Sequence, residues 1–132
     1  MVELYGHPFS SYCWKVLIAL YERDVPFEFR MLGGDVRPEH LEVVRKAGPA
    51  GQFPVLADGE RVLIQSATII DYLDLHCGPA PPMISADPRI AIEARMMDAV
   101  FDDYVMTPVQ RMVANALRPA ERRDPFIVEE AK

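Results

Sequence analysis

The segment that most constrains the fold is a short strand that leads through a glycine-proline turn into a helix. Residues 2–5 alternate apolar and polar side chains, and Gly6-His7-Pro8 ends the alternation. Ser10 and Ser11 stand where a helix N-cap belongs. The helix predicted from Ser11 to Arg23 has one apolar face, formed by Cys13, Val16, Leu17, Leu20 and Tyr21. We therefore predict a β-α unit whose helix begins at a pair of hydroxyls.

The remainder of the first half alternates strand and helix signals. The predicted strands are Pro26–Met31, Val55–Ala57 and Arg61–Gln65. One predicted helix runs from about Pro38 to Lys46. Another is capped by Ser66 and stops at Gly78-Pro79. A crossover helix makes the first two strands parallel, and the Asp58-Gly59-Glu60 turn makes the last two antiparallel. The order β-α-β-α-β-β-α predicts an α/β fold with a mixed four-stranded sheet and helices packed on it.

The second half of the chain is helical in pattern. Four of the twelve prolines lie between Gly78 and Pro88, which is typical of a linker. Asp87-Pro88 is a strong helix start. The apolar positions of this helix continue beyond Pro108, so Pro108 is predicted to kink the helix without ending it. The apolar stripe begins with Ile90, Ala94, Met97, Phe101 and Tyr104. We predict a first domain at 1–77, a linker at 78–87 and a partial all-α domain at 88–132.

The helical stripe has no later sequence to cover it. Asp124-Pro125 opens a further helix only a few residues before Lys132. The expectation is the front part of a longer protein, or a shortened relative that buries the stripe by self-association; the alternative is a frayed tail on a complete small protein. Met97, Phe101 and Tyr104 are interpreted as core residues in preference to pocket or interface residues.

Composition excludes several classes of partner. The net charge of −6 and the pI of about 5.0 argue against binding to nucleic acid and to anionic membranes. No run of about 18 apolar residues exists, so no membrane span is expected. Two cysteines and the lack of an export signal predict a cytoplasmic protein. His7, His40 and His76 have no metal-ligand spacing, so no metal is expected.

Three short motifs could form one binding site. Ser10-x-x-Cys13 begins a helix, and the Ser10 hydroxyl could donate a hydrogen bond to a ligand thiolate. Phe53-Pro54 precedes a strand and is consistent with a cis peptide bond. Gln65-Ser66 begins a helix whose N-terminus suits a carboxylate. Each has a plainer interpretation, which is helix capping for the serines and strand initiation for the proline. The predicted topology places all three at one edge of the sheet, where a single small molecule could span them.

Three segments carry a resemblance to a known family. Residues 5–20, 48–59 and 65–73 resemble the glutathione-binding segments of serine-type cytosolic glutathione S-transferases, in the right order and across about residues 2–77. The part from Asp87 onward resembles only the beginning of that family's all-helical second domain. The resemblance implies a thioredoxin-like first domain, glutathione as co-substrate and no metal.

The resemblance also implies a role for each matching residue. Ser10 would hydrogen-bond the glutathione thiolate, the Phe53 backbone would pair with the cysteinyl part, and Gln65 and Ser66 would hold the γ-glutamyl end. The sequence departs from the family pattern in having no clear match for the basic residue or histidine that some classes place before the second helix, and Arg37 is the candidate substitute near the glycyl carboxylate. The implied glutathione ligands are Ser10, Ser11, Gln52, Phe53, Pro54, Gln65 and Ser66, with Ser10 as the catalytic residue.

Three functional hypotheses follow. The first is a homodimeric glutathione transferase that activates the thiolate for attack on a small hydrophobic electrophile. The second is a catalytically weak glutathione-binding or interaction module that lacks a complete substrate domain. The third is a glutaredoxin-like reductase, against which Ser10 argues because it replaces the first cysteine of the redox pair. Cys13 is interpreted as a buried structural thiol, because it lies on the apolar face of its helix.

Overall fold

The first half of the chain forms a four-stranded sheet covered by helices. A computed structural model describes residues 1–130, and these divide into two compact units, Met1–Ala86 and a second that begins at Asp87. In the first unit the sheet order is β2-β1-β3-β4, with β1 and β2 parallel and the other pairs antiparallel. Its elements are β1 (Val2–Gly6), α1 (Ser11–Glu22), β2 (Phe27–Met31), α2 (Pro38–Ala47), β3 (Val55–Asp58), β4 (Arg61–Ile64) and α3 (Ser66–His76). The predicted topology and mixed sheet are confirmed.

The alternation of β1 builds a core on each face of the sheet. Val2 and Leu4 point to the face packed against α1 and α3, while Tyr5 points to the opposite face, where it packs with Val44 of α2. The larger core also contains Val16, Ala19, Leu20, Val25, Leu56, Ile69 and Leu73. Each fully buried Leu or Ile contributes about 1.5–3 kcal/mol relative to exposure, so these faces hold the helices on the sheet.

The strand register decides which loops meet. Tyr5, near the end of β1, lies opposite Val55 at the start of β3, and Val55 lies opposite Ile64 at the end of β4. The loop after β1, the loop before β3 and the loop after β4 therefore share one end of the sheet. These are the loops that carry the three predicted binding motifs.

A buried ion pair that no sequence pattern predicts joins α1 to α3. Arg23, the C-cap residue of α1, is 4% exposed and its Nε lies 3.3 Å from Oδ1 of Asp74, which is 8% exposed. The Arg23 guanidinium also donates to the carbonyls of Leu73, Asp74 and Cys77 at the end of α3. The Asp74 carboxylate in turn accepts from the backbone N–H groups of Met83 and Ile84, each at 2.8 Å. This network fixes the end of α3 and the segment after it.

The second unit is helical, and its helix starts are those predicted. Its helices are α4 (Pro88–Val100), α5 (Thr107–Ala116) and α6 (Phe126–Glu130). Asp87 caps α4 by accepting from the N–H of Arg89 at 2.8 Å, and Asp124 accepts from the N–H of Phe126 at 3.0 Å. Between α5 and α6 the buried Asn115 side chain donates to the Asp124 carbonyl and accepts from its N–H, both at 2.8 Å.

Pro108 distorts the long helix without ending it, as predicted, but the distortion is a π-helical segment at Phe101–Met106. The Thr107 N–H bonds to the carbonyl of Asp102, five residues earlier, and the Thr107 hydroxyl donates to the same oxygen at 3.0 Å. Because Pro108 has no N–H, widening the preceding turn accommodates the missing hydrogen bond.

The interpretation of Met97, Phe101 and Tyr104 as core residues is wrong. All three are exposed in the structure, Tyr104 at 77%. A helical stripe gives the direction in which side chains point, whereas burial requires a second element on that side. In the described second unit the buried apolar residue is instead Ala91. Across residues 1–130, no helix combines the length and apolar character needed to cross a bilayer.

Candidate functional site

Ser10 occupies the N-cap of α1, as the sequence predicts. Its backbone is extended, with φ −90° and ψ 118°, and its Oγ accepts a hydrogen bond from the N–H of Cys13 at 3.3 Å. Its N–H donates to the His7 carbonyl at 3.0 Å, which closes the loop that follows β1. Because Oγ acts as the acceptor in the cap, that bond does not use the hydroxyl proton, which can be donated to the Cys13 thiol or to a ligand at the helix N-terminus.

Ser11 and Cys13 lie in the first turn of α1, directly after this cap. Ser11 is the first helical residue, and its Oγ is buried without a hydrogen-bond partner among the described residues. Cys13 is fully buried, and burial raises the pKa of its thiol, although hydrogen bonds from the Ser10 side chain and the His7 backbone act in the opposite direction. A thiol held protonated in an apolar site is a poor nucleophile, which agrees with the interpretation of Cys13 as structural.

The loop before β3 contains the expected cis peptide bond between Phe53 and Pro54. Pro54 is buried, whereas Phe53 is 38% exposed and Gln52 is exposed. The Phe53 ring stacks on the imidazole of His7, with ring centroids 6.2 Å apart and planes inclined by 27°. The loop before β3 therefore lies directly against the loop after β1.

The start of α3 differs from the prediction in one respect. Ser66 was expected to cap the helix, but it is already helical and the N-cap is Gln65, whose φ is +71°. Gln65 takes this position because its carbonyl accepts the first helical bond, from the N–H of Ile69 at 2.9 Å. No side chain caps the helix, so the N–H groups of its first turn have no side-chain acceptor. At this helix end Ser66 is buried and Gln65 is exposed.

The structure brings all three motifs to one end of the sheet. Ser10 follows β1, Pro54 precedes β3 and Ser66 follows β4, and these strands are neighbours in the order β1-β3-β4. Neighbouring strands lie about 4.8 Å apart, so the motifs extend across about 10 Å. An extended tripeptide also spans about 10 Å, so the site has the dimensions of a small peptide. Arg37 is exposed at the N-cap of α2, and its side chain makes no capping bond.

The loops after β1 and before β3 also carry aromatic rings that were not predicted from the sequence. Phe9 is 84% exposed, and its ring lies 5.6 Å from that of His7, which in turn stacks on Phe53. The sequence signal that could have indicated it is the phenylalanine placed directly after the Gly6-His7-Pro8 turn. The described chain offers no metal centre, since no three His, Cys, Asp or Glu side chains within residues 1–130 lie close enough to share an ion.

Comparisons with known proteins agree with this architecture. Residues 4–81 match the family model of the glutathione S-transferase N-terminal domain. A glutathione S-transferase of Pseudomonas putida is 29% identical over the whole chain, and a probable maleylacetoacetate isomerase of Vibrio cholerae is 35% identical over 75% of it. A crystal structure of a glutathione S-transferase of Methylobacillus flagellatus with GSH bound superposes on 99% of the chain, with a TM-score of 0.84 and 26% identity.

These relatives are longer than the chain. The chain spans 57% of the Pseudomonas protein, 47% of the Vibrio protein and 63% of the Methylobacillus structure. The family match nevertheless covers more than half of the chain and extends from the middle of β1 through α3, across the elements that build the candidate site. The chain belongs to the glutathione S-transferase family.

Proposed function

We propose that the protein is a glutathione transferase and that glutathione binds across the loops that follow β1, precede β3 and follow β4. The observation that carries this proposal is the arrangement of three hydrogen-bonding positions within about 10 Å, the length of one tripeptide. The solved relative from Methylobacillus, which contains GSH, supports the choice of ligand.

The thiol end of glutathione is assigned to Ser10. Its hydroxyl proton is not used by the helix cap, because Oγ serves there as acceptor. A hydrogen bond to a charged group contributes about 1.5–3 kcal/mol, and a helix N-terminus adds about 0.3–1 kcal/mol. Since about 1.4 kcal/mol corresponds to one pH unit, Ser10 and α1 together would lower the thiol pKa by about one to three pH units. Ser10 acts here as a donor to the thiolate and not as a nucleophile.

The middle of the tripeptide is assigned to the loop before β3. Phe53 is partly exposed immediately before the strand, so its backbone groups are accessible to an extended peptide. Gln52 is exposed next to it and is assigned to the glycyl end. Pro54 is buried, and it shapes the loop without a polar contact of its own.

The γ-glutamyl end is assigned to the start of α3. This helix has eleven residues and no side-chain cap, so its first N–H groups are free to bind a carboxylate. The Ser66 hydroxyl and the Gln65 amide add a donor on each side. Gln65 reaches this position because its positive φ turns the chain sharply between β4 and α3.

Broader features of the protein are proposed on the same basis. We assign residues 1–77 to the glutathione-binding domain, 78–87 to a linker and 88–132 to a partial helical domain. We also propose a small hydrophobic electrophile as the second substrate, a homodimer as the assembly and the cytoplasm as the location.

The test combines binding with turnover. The chain should be retained on immobilised glutathione and should conjugate glutathione to a chloroaromatic compound. Ser10→Ala should reduce turnover much more than retention, and Ser10→Thr, which keeps the hydroxyl, should restore a large part of the activity. Retention without turnover would instead support the glutathione-binding module, and failure of retention would refute both. A thiol-disulfide exchange assay tests the reductase hypothesis.

A further inference from the structure

One side of β2 has no neighbouring strand within residues 1–130. In the order β2-β1-β3-β4, β2 stands at the end of the sheet and pairs with β1. Just after β2, the N–H of Leu32 donates to the carbonyl of Gly6 in β1 at 2.8 Å. Because backbone groups alternate in direction along a strand, the even-numbered residues of β2 also bond to β1. The residues whose N–H and C=O groups face away from the sheet are therefore Phe27, Phe29 and Met31.

The side chains of β2 differ between the two faces of the sheet. Phe27 and Phe29 pack against the larger core, and Met31, which is 52% exposed, lies on the same face by alternation. Glu28 and Arg30 lie on the opposite face, where Nη1 of Arg30 is 2.6 Å from Oε1 of Glu28. The order along the strand is apolar, acidic, apolar, basic, apolar. A two-fold rotation about Phe29 therefore exchanges the acidic and the basic position.

We propose that β2 pairs with β2 of a second copy of this chain, antiparallel about a two-fold axis at Phe29. Phe29 then lies opposite its own counterpart, and Phe27 lies opposite Met31. Since these residues carry the outward backbone groups, the opposed pairs exchange hydrogen bonds. Glu28 lies opposite Arg30 at the positions without hydrogen bonds, where facing side chains come closest, so each such pair is a contact of opposite charges.

Charge selects this register over its neighbours. A slide of two residues, which keeps each face on its own side, would place Glu28 opposite Glu28 or Arg30 opposite Arg30. A parallel alignment in register would do both, and like charges directly opposite each other are destabilising. A slide of one residue would bring apolar side chains to the charged face. Charged side chains ordinarily protect an edge strand from pairing, whereas here they complement a second copy of the same strand.

The pairing leaves the candidate glutathione site open. β2 lies on the side of β1 away from β3 and β4, whose loops contribute to that site. On the apolar face, the 71% exposed Tyr21 ring stands edge-on to the Phe27 ring, with centroids 5.3 Å apart. Met31 of the second copy would contact these rings, to which a thioether is well suited. The inference assigns a surface to the homodimer, and its failure would leave the proposed binding of glutathione intact.

The test follows amide hydrogen exchange by NMR at protein concentrations from about 10 μM to about 1 mM, because a strand edge of five residues makes a weak association. Exchange at Phe27, Phe29 and Met31 should slow as the concentration rises. Exchange at Glu28 and Arg30, whose N–H groups already bond to β1, should change much less. The molar mass measured by light scattering should rise toward that of a dimer over the same range.

Three variants test the charge pairs. Glu28→Lys turns both pairs into contacts of like charge and should weaken the dimer about tenfold or more. Glu28→Gln removes the attraction without adding repulsion, so its dimer affinity should lie between those of Glu28→Lys and the unmodified chain. Glu60→Lys makes the same change of charge at the exposed turn between β3 and β4, and it should not weaken the dimer. Far-UV circular dichroism of each variant should match that of the unmodified chain.

Several results would overturn the inference. One is exchange at Phe27, Phe29 and Met31 that does not depend on concentration. Another is a dimer mass without protection of these amides, which would place the interface elsewhere. Equal dimer affinity in Glu28→Lys and the unmodified chain would refute the charge-paired register. Retention of Glu28→Lys on immobilised glutathione should equal that of the unmodified chain, so loss of the dimer and failure of the proposed function are measured separately.

Discussion

Replacement of Ser10 by alanine removes two interactions that can be measured separately. The first is the helix cap, in which Oγ accepts from the Cys13 N–H at 3.3 Å. Loss of an N-cap serine costs about 1 kcal/mol of folding free energy, and this bond is long, so a value at or below that figure is expected. The second is the proposed donation to the glutathione thiolate, which carries about 1.5–3 kcal/mol.

The loss of the donor has a defined pH signature. Without about 1.5–3 kcal/mol of thiolate stabilisation, the pKa of the bound thiol rises by about one to two pH units. Turnover at pH 7 should then fall by about tenfold or more in Ser10→Ala. The difference from the unmodified chain should disappear above the raised pKa, where the bound thiol is ionised in both proteins.

The assay follows the ultraviolet absorbance of the bound thiolate as a function of pH, alongside kcat over the same range. Ser10→Gly separates the two losses, because glycine is a tolerated N-cap but has no hydroxyl. The stability of this variant should lie within a few tenths of a kcal/mol of the unmodified chain. The pKa of the glutathione thiol bound to it should match the value in Ser10→Ala. An unchanged thiol pKa in Ser10→Ala would refute the assigned role. A loss of turnover that is equal at every pH would refute the pKa argument.

Three further predictions concern the scaffold and are tested by chemical denaturation. Asp74→Ala leaves the Arg23 guanidinium buried without its counter-ion and should cost about 3–5 kcal/mol; a loss below about 1 kcal/mol would contradict the network. Gly78→Ala should cost at least about 2 kcal/mol, because φ is +77° and the new Cβ would meet the Arg23 carbonyl oxygen at 2.2 Å; near-native stability would contradict this backbone. Hydrogen bonds from Arg30 lower the pKa of Glu3, so its contribution is present at neutral pH and lost as pH falls through that lowered pKa. Glu3→Gln should therefore cost at most about 1 kcal/mol at pH 7 and nothing in strong acid, and an equal cost at both pH values would contradict the ion pair.

Local signals in the sequence were sufficient for the elements and for most of their ends. The helix starts at Ser10, Asp87 and Asp124 were predicted correctly because a capping side chain acts within three residues of its own position. The start of α3 was less well predicted. A positive φ at a non-glycine residue such as Gln65 is set by the need to turn from β4 into α3, and no local pattern indicates it.

The burial of the Arg23 and Asp74 charges could not be predicted from sequence patterns. Arg23 follows the last turn of an amphipathic helix, a place where a basic residue is ordinarily solvated. In the structure it reaches Asp74, fifty-one residues later, and both side chains are less than a tenth exposed. Such a pair depends on how α1 and α3 pack against each other, which is a property of the folded chain.

The order of strands and helices, the serine at the start of α1 and the family of the chain could be predicted from the sequence, because periodicity, capping and motif spacing are all local. The register of β1, β3 and β4 forms only in the folded chain, and it brings three distant loops within about 10 Å. Folding also places His7 between Phe9 and Phe53, whose rings come from loops more than forty residues apart. Contacts between residues so far apart in the chain form only in the folded protein, because burial of the apolar faces of the sheet and the helices brings those loops together.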